Sequence, residues 1–208
     1  MKTNREKVSY CIGLETGKNL KNQFKDLDTS LLVEGFQDAL GERNPPLSRE
    51  EINSIMNSLY EQIQRQQREY VVQVAEKNKQ QSESFLIENK KNDGVVTLVS
   101  GLQYKVLFSG DGPSPTMLDT VTCHYRGSLI DGTVFDSTYE TGKPQTFPMN
   151  RVIPGWSEAL KLMKVGDKWQ VFIPPYLAYG EAGYGPQIQP NSTLVFEMEL
   201  IAINEKAS

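Results

Sequence analysis

The sequence is poor in the residue types that build metal centres and disulfide frameworks. It has one histidine, His124, and two cysteines, Cys11 and Cys123, and no CxxC pair. A zinc site or a disulfide scaffold needs several such residues at short spacing. His124 follows Cys123 directly, but adjacent side chains on a strand point to opposite faces, so the two cannot act together as nucleophile and base. We therefore expect no metal, no cofactor and no thiol chemistry.

Excess charge and long apolar runs are also lacking. The chain carries 22 basic against 26 acidic side chains, a net charge of −4. This balance gives no electrostatic reason to expect a nucleic acid or an anionic membrane as partner. No apolar run approaches the ~20 residues of a membrane span, and no GxSxG, P-loop or HExxH motif is present. We expect neither a membrane span nor a nucleophilic or metal-dependent hydrolase.

The chain changes character near residue 94, because nine of its eleven prolines lie beyond that point. Before it, periodicity predicts helices at about residues 8–24 and 28–40, and a third that begins at Ser48 and continues to about Asn89. Ser48 followed by Glu51 fits a capping box. A helix of that length spans roughly 60 Å, and its almost wholly polar stretch at residues 76–84 predicts a rod that bridges separate modules through solvent.

The first two helices form a unit too small to be stable by itself. Below ~40 residues a domain usually needs disulfides, a metal or oligomerisation, and the first two are already excluded. The sequence therefore predicts a homodimer through residues 1–46. Gly13 and Gly17 share one helix face, which fits either a close approach of another helix or two tolerated glycines.

Short alternating segments after residue 94 predict antiparallel strands, and Asp131-Gly132 in "SLIDGTVF" predicts a hairpin turn. The only helical pattern among them runs from Trp156 to Lys164, in "VIPGWSEALKLMKVG". The predicted fold is α+β, with one short helix across a twisted antiparallel sheet. We expect a helical dimerisation domain at 1–46, a long connecting helix at 47–92 and a sheet domain at 93–208.

Aromatic residues from separate elements of the sheet domain stand among predicted turns. A hydrophobic core explains most of them, but tyrosines in the loop "YLAYGEAGYG" are harder to explain that way, because loops run over the surface. Trp156, in the first turn of a short helix, is either ordinary core packing or the floor of a pocket. Composition and spacing leave both interpretations open.

Several motifs resemble the FKBP-type peptidyl-prolyl isomerase family. They are "VTCHYRGSLIDGTVFDSTYETGKP", "VIPGWSEALKLMKVGDKW", "IPPYLAYGEAGYG" and "NSTLVFEMELIAI", in family order over roughly residues 101 to 203. The N-terminal segments "KVSYCIGLETGKNLKNQ" and "GFQDAL", followed by a long helix, resemble the bacterial Mip-like branch. Members of that branch are V-shaped homodimers joined at small N-terminal helical domains, which agrees with the dimer predicted from size.

The resemblance implies a proline pocket with Trp156 as the platform for the ring. It implies catalytic roles for Tyr125, Asp136 and Tyr179, and a main-chain N–H at Ile153 that contacts the substrate. The implied pocket walls are Phe135, Phe147, Val152, Ile153, Ile188 and Phe196, together with Tyr125 and Tyr179. The implied partners are proline-containing polypeptide clients and macrolides of the rapamycin type.

Three positions depart from the family pattern. Thr141 stands where many members carry an arginine that pairs with the aspartate, Tyr184 replaces a common histidine, and Gln145 replaces a frequent aromatic residue. Thr141 and Gln145 favour an alternative, a holdase chaperone or adaptor whose pocket binds clients but isomerises poorly. The retained Tyr125, Asp136, Trp156 and Tyr179 favour the isomerase.

The cellular compartment is implied by resemblance alone. Mip-like relatives are mostly periplasmic or associated with the outer membrane, while some close relatives are cytoplasmic. The start of this sequence resembles the mature region of exported members. We therefore expect a periplasmic or cell-envelope protein whose signal peptide has been removed, with the cytoplasm as the alternative.

Overall fold

A computed structural model of the chain describes residues 3–24 and 26–204. The chain divides into two compact units, Met1–Gln62 and Ile63–Ser208, so the boundary falls inside the third helix. The division at residues 46 and 92 stays a prediction, and the last four residues of the predicted sheet domain lie outside the described part.

The first unit contains two helices and the beginning of a third. Their bounds are α1 Asn4–Gln23, α2 Thr29–Leu40 and α3 Arg49–Asn89. The capping box before α3 is confirmed: the Ser48 N–H donates to the Glu51 carboxylate at 2.8 Å, and the Glu51 N–H donates to the Ser48 hydroxyl at 3.2 Å. Each bond satisfies a main-chain donor that the helix end leaves free.

The described residues of the first unit do not enclose a core of their own within one chain. Neither α1 nor α2 contains a buried residue. Large apolar side chains face outward instead, including Ile12 at 63% exposure, Leu31 at 65% and Leu40 at 85%. An apolar surface of this kind on a small helical unit is typical of a surface that contacts another molecule.

The second unit is built on a twisted antiparallel sheet with one helix across it. The strands are β1 Val95–Thr97, β2 Gln103–Phe108, β3 Thr120–Leu129, β4 Val134–Ser137, β5 Gln145–Pro148, β6 Lys168–Ile173 and β7 Leu194–Asn204. Their order is β1-β2-β6-β7-β3-β4, and β5 also pairs with β3. Short 3-10 helices cover Met149–Arg151 and Pro175–Leu177, and α4 covers Pro154–Leu162.

Alternation along the long strands puts every second side chain into one core, as the sequence predicts. The inward side chains are Val121, Cys123 and Tyr125 in β3, Trp169, Val171 and Ile173 in β6, and Phe196, Met198 and Leu200 in β7. α4 covers this face with Trp156, Ala159 and Leu160, all buried. The α+β fold with one short helix across an antiparallel sheet is thereby confirmed.

The opposite face of the sheet is covered in part by the C-terminal half of α3. The ring of Phe85 lies 5.9 Å from that of Phe172, and the Asn89 amide donates to the Gln103 side chain at 2.9 Å. Ser82 is 2% exposed and Asn89 is 6% exposed. The prediction that the polar stretch at residues 76–84 is surrounded by solvent is wrong for one face, because Asn78 and Ser82 hydrogen-bond to the sheet domain. The other residues of the stretch are exposed.

Candidate active site

The start of α4 places an indole ring at the base of a pocket. Pro154 occupies the first helical turn, and Ile153 is the residue before it. Gly155 packs so tightly against Ile173 that a Cβ at this position would overlap the isoleucine side chain. Glycine therefore lets the helix approach the sheet, and Trp156, only 5% exposed, lies between them.

Trp156 is the centre of a cluster of aromatic rings. Its ring centroid lies 5.0 Å from that of Tyr125, 5.4 Å from Phe147 and 5.1 Å from Phe196, with interplanar angles of 81°, 79° and 87°. Phe135 meets Phe196 in the same edge-to-face manner at 5.6 Å. Edge-to-face contacts are favourable and hold each ring in a defined orientation, so the pocket walls are rigid and apolar.

The pocket above the indole has a volume of about 350 Å³. Its lining residues are Tyr125, Phe135, Asp136, Phe147, Arg151, Val152, Ile153, Trp156, Tyr179, Tyr184 and Phe196. Nine of the ten residues named from the sequence are among them. Ile188 is not: it is 4% exposed, belongs to the core and pairs through its main chain with Tyr184.

The sequence-based list of site residues missed Arg151 and Tyr184. Arg151 immediately precedes the "VIPGW" segment, so its position next to the helix start was the available signal. Tyr184 stands in the loop rich in glycine and tyrosine, and its ring stacks on that of Tyr179 at 4.8 Å with an interplanar angle of 18°. Stacking of this kind joins the loop to the pocket wall.

Two tyrosine hydroxyls reach the pocket as neutral donors. The Tyr125 hydroxyl donates to Oδ2 of Asp136 at 2.7 Å. Burial, reinforced by this hydrogen bond, raises the pKa of Tyr125, while burial and the nearby Tyr184 and Asp136 raise the pKa of Tyr179. Among the described residues, no hydrogen-bond partner is found for the Tyr179 hydroxyl or for the N–H of Ile153. Both groups can therefore donate to a bound molecule.

The family departures change what surrounds Asp136. The Thr141 hydroxyl donates to the main-chain oxygen of Thr138 at 3.1 Å and so stabilises its own turn. The Gln145 amide oxygen lies 3.4 Å from the Tyr125 hydroxyl, a second and longer contact beside the bond to Asp136. Within the part of the chain that the structure describes, the Tyr125 hydroxyl is the one hydrogen-bond partner found for the Asp136 carboxylate.

Three further observations favour the aromatic pocket over other sites in the second unit. A larger cleft of about 840 Å³, beside Lys77–Ser84 of α3, is lined mainly by amide and hydroxyl side chains and lacks such an aromatic floor. Burial raises the pKa of the Cys123 thiol to about 12, which keeps it protonated. In residues 3–24 and 26–204, no group of three His, Cys, Asp or Glu side chains could hold a metal ion. An apolar pocket with a few convergent polar groups is the usual form of a small binding site.

Comparison with known sequences agrees with this geometry. A sequence profile described as FKBP-type peptidyl-prolyl cis-trans isomerase matches residues 112–201. A second profile, described as the domain amino terminal to FKBP-type peptidyl-prolyl isomerase, matches residues 5–106. Together the two profiles extend over nearly the whole chain.

Individual relatives match along their lengths as well. The chain is 43% identical over 205 residues to the Outer membrane protein MIP of Legionella longbeachae, covering 99% of this chain and 88% of that protein. It is 41% identical over 206 residues to the Peptidyl-prolyl cis-trans isomerase Mip of Coxiella burnetii, covering 99% and 90%. The crystal structure of FkpA from Escherichia coli matches with a TM-score of 0.78 at 36% identity and covers 99% of both chains. The chain therefore belongs to the family of FKBP-type peptidyl-prolyl cis-trans isomerases, in the company of Mip and FkpA proteins, and is a peptidyl-prolyl cis-trans isomerase.

Proposed function

We propose that the X–Pro bond rotates in the pocket whose floor is Trp156. The observation that carries this proposal is the combination of apolar ring walls with donors for which no partner is found among residues 3–24 and 26–204. The face of the indole offers a platform for a pyrrolidine ring, and the rings of Tyr125, Phe147 and Phe196 stand nearly perpendicular to it. Isomerisation breaks no covalent bond, so a site without nucleophile or metal is sufficient.

Removal of water supplies the first part of the rate enhancement. The barrier to rotation is about 18–20 kcal/mol because the amide C–N bond has partial double-bond character. Water stabilises the planar, charge-separated amide more than the twisted one. A pocket that excludes this water and binds the twisted amide favours the transition state. A reduction of about 4 kcal/mol would accelerate rotation roughly a thousandfold.

The polar groups supply the second part by holding the substrate. We assign the N–H of Ile153 as the donor that fixes a substrate carbonyl at the entrance to α4. The hydroxyl of Tyr179 is a second donor in the pocket lining. Asp136, held by the Tyr125 hydroxyl at 2.7 Å, presents a carboxylate to the amide that rotates. Phe135, Val152 and Phe196 complete the apolar walls, while Ile188 supports the loop from the core.

The first experiment is prolyl isomerisation of a short X–Pro peptide by the full chain and by Asp136→Leu and Tyr179→Ala. Each substitution removes a polar group from the pocket, so we expect turnover to fall at least about fivefold. Asp111→Leu is the matched control for the carboxylate and Tyr70→Ala for the tyrosine, since both residues are exposed and lie outside the pocket. Equal turnover in all variants would place the reaction elsewhere, and absence of turnover in the folded wild type would favour the holdase.

The first unit is proposed to be a dimerisation domain, with residues 1–46 as its extent and 47–92 as a connecting helix. Support comes from the unburied α1 and α2 and from an apolar groove of about 620 Å³ lined by Leu31, Gly35, Ala39, Pro46 and Ile52, among others. A second copy of the same helical unit offers a matching apolar surface. Sedimentation of the full chain tests this, and a monomer at tens of micromolar would contradict it.

The substrates are proposed to be proline-containing segments of unfolded or partly folded polypeptide chains. The pocket is open to solvent at its rim and accepts one ring, so selection would rest on proline and its immediate neighbours rather than on a long sequence. A macrolide of the rapamycin type would occupy the same walls. Competition between such a macrolide and an X–Pro peptide measures whether the two share this pocket.

The compartment is proposed to be the periplasm or cell envelope. Support comes from the Legionella longbeachae relative, whose name places it in the outer membrane. Among the helices of the described residues, none is both long and apolar enough to cross a bilayer. Fractionation of cells that produce the natural gene product would locate the protein, and recovery from the cytoplasmic fraction alone would contradict the proposal.

A further inference from the structure

The loop of residues 180–193 connects the pocket wall to α3. Near its start it carries Tyr184, which lines the pocket and stacks on Tyr179. The main chains of Tyr184 and Ile188 exchange two hydrogen bonds of 2.7 and 3.2 Å, and the N–H of Asn191 donates to the oxygen of Gly180 at 2.8 Å. These main-chain hydrogen bonds couple the two ends of the loop, so a displacement of Asn191 is expected to shift Tyr184 as well.

Four hydrogen bonds that involve a main-chain group join α3 to the far end of this loop, beside a longer side-chain contact of 3.5 Å from the Asn78 amide to Gln189. Asn78 donates to the Pro190 oxygen at 2.9 Å, and the Asn191 side chain donates to the Ala75 oxygen at 3.2 Å. The Ser82 hydroxyl donates to the Asn191 oxygen at 2.8 Å and accepts from the Thr193 N–H at 2.9 Å. Each of these four bonds has a main-chain group at one end, and all of them are formed within the second unit.

Ser82 makes two of the hydrogen bonds between α3 and the loop. It is 2% exposed, and its one hydroxyl serves as donor and acceptor for groups two residues apart in the loop. Buried main-chain groups without a partner are costly, so loss of the hydroxyl would leave the Asn191 oxygen and the Thr193 N–H unsatisfied unless the loop moved toward water. The helix therefore determines where the loop lies.

Asn191 contributes from the loop side. Its φ of 57° is in the left-handed region, which asparagine adopts more readily than most residues. This turn of the chain directs its side chain to Ala75 of α3 while its main-chain N–H closes the loop on Gly180. Glycine accepts the same backbone conformation and removes only the side-chain bond.

We propose that Asn78, Ser82 and Asn191 are positioning residues for catalysis, which act through the loop on Tyr184 and Tyr179. In this proposal, the C-terminal half of α3 holds the pocket-lining loop in position. This inference rests on the proposed function of the aromatic pocket. Surface loops without such anchors open at little cost in free energy, and a pocket wall that opens binds the substrate less well.

The test uses the full chain with Ser82→Ala and Asn191→Gly, with Ser82→Thr as the conservative variant that keeps the hydroxyl. Asn89→Ala is the matched control, because it also removes a nearly buried hydrogen bond between α3 and the sheet domain, but at Gln103 rather than at the loop. Hydrogen exchange is measured at the N–H groups of Tyr184, Ile188 and Asn191. Turnover of an X–Pro peptide is measured as kcat and KM.

We expect Ser82→Ala and Asn191→Gly to accelerate exchange at these three N–H groups by about tenfold. We also expect KM to rise several-fold with a smaller change in kcat, since the wall is mispositioned but the reacting groups remain. Ser82→Thr, which keeps the hydroxyl, should show loop exchange and KM close to those of the wild type. Asn89→Ala should leave both unchanged.

Two results would overturn the proposal. One is loop exchange in Ser82→Ala equal to that of the wild type, and the other is an increase of KM in Asn89→Ala as large as in Ser82→Ala. The exchange measurement does not depend on turnover. Failure of the proposed function would appear as an inactive wild type or as turnover insensitive to Asp136→Leu, so it is distinguished from failure of the loop contact.

Discussion

The residues up to Gln62 and those from Ile63 onward place their apolar side chains differently. In the second unit seventeen apolar residues are buried in one cluster between the sheet and α4. In the first unit α1 and α2 contain no buried residue, although Ile12, Leu31 and Leu40 are large and apolar. Both units contain regular α-helices, so local structure does not explain the difference.

This contrast shows that the two units obtain their stability from different sources. Burial of apolar surface contributes about 25 cal/mol per Å², and the second unit gains it from its own chain. The first unit leaves that free energy unused unless another molecule covers its helices. The proposed homodimer would supply the first unit with the apolar burial that its own helices do not provide.

Charge placed on the exposed apolar face of the first unit should have the largest effect. Leu31→Glu would bury a carboxylate in the proposed dimer interface, so we expect dimer affinity to fall by more than about a hundredfold. Sedimentation at several concentrations measures it. Val99→Glu makes the same change at a fully exposed residue of the second unit and should leave the dimer intact. A Leu31→Glu dimer of unchanged affinity would show that α2 is not in the interface.

Truncation inside the second unit comes next in size. Leu160 of α4 is fully buried, so Leu160→Ala should lower the free energy of unfolding by about 2–5 kcal/mol. Leu162 lies in the same helix but is 47% exposed, and Leu162→Ala should change it by less than about 0.5 kcal/mol. Denaturant unfolding of both variants gives the comparison. Similar values for the two would mean that α4 does not anchor the core.

Loss of one hydroxyl in the pocket should have a smaller effect, and on catalysis rather than on folding. Tyr125→Phe keeps the ring but removes the 2.7 Å hydrogen bond to Asp136, so turnover should fall about three- to tenfold. Tyr176→Phe also removes a hydrogen bond, of 2.8 Å to the Ser100 oxygen, but away from the pocket. Its turnover should match the wild type. An equal loss of turnover in both variants would show that the loss comes from a general destabilisation of the second unit and not from the bond to Asp136.

A change of pH near neutrality should have the smallest effect on the turnover and stability of the second unit. The pKa values of Tyr125, Tyr139 and Tyr179, all in the second unit, are raised mainly by burial. A raised folded-state pKa contributes stability that is complete below the unfolded value of about 10 and is lost as pH rises through the folded value. We therefore expect constant turnover from about pH 6 to 9 and destabilisation of the second unit above about pH 10, measured by thermal unfolding. Destabilisation that begins below about pH 9 would contradict this assignment.

The opposite sign applies to the helix caps of the first unit. Hydrogen bonds from the N–H groups of Leu31 and Ser30 lower the pKa of Asp28, and those from Ser48 lower that of Glu51. Their contribution is present above the unfolded values near 4 and is lost as pH falls through the folded values. Carboxylates at helix starts are thus a local feature, whereas the tyrosine shifts require a packed pocket.

Most of the candidate site could be named from the sequence because short motifs carry it. "VIPGW" locates Val152, Ile153 and Trp156, and the pocket contains all three. The family resemblance that assigned these three residues also placed Ile188 on the pocket wall, but its side chain lies in the core. Arg151 was missed because an exposed arginine has no hydropathic pattern that distinguishes it. Whether a loop side chain lines the pocket or the core depends on the conformation of the loop, and a short motif does not specify that conformation.

The sequence alone determined the ends of the long helix, its capping box and the alternation in β3, β6 and β7. It predicted the short helix from Trp156 to Lys164, whereas α4 covers Pro154–Leu162. These features depend on residues within a few positions of one another, so their periodicity and caps are visible locally. Only the tertiary structure decided that one face of the C-terminal half of α3 lies against the sheet and its loop. Ser82 finds its partners 109 and 111 residues away in the loop, at Asn191 and Thr193. A pattern of hydropathy records whether a side chain is polar, but not which distant main-chain group will satisfy it.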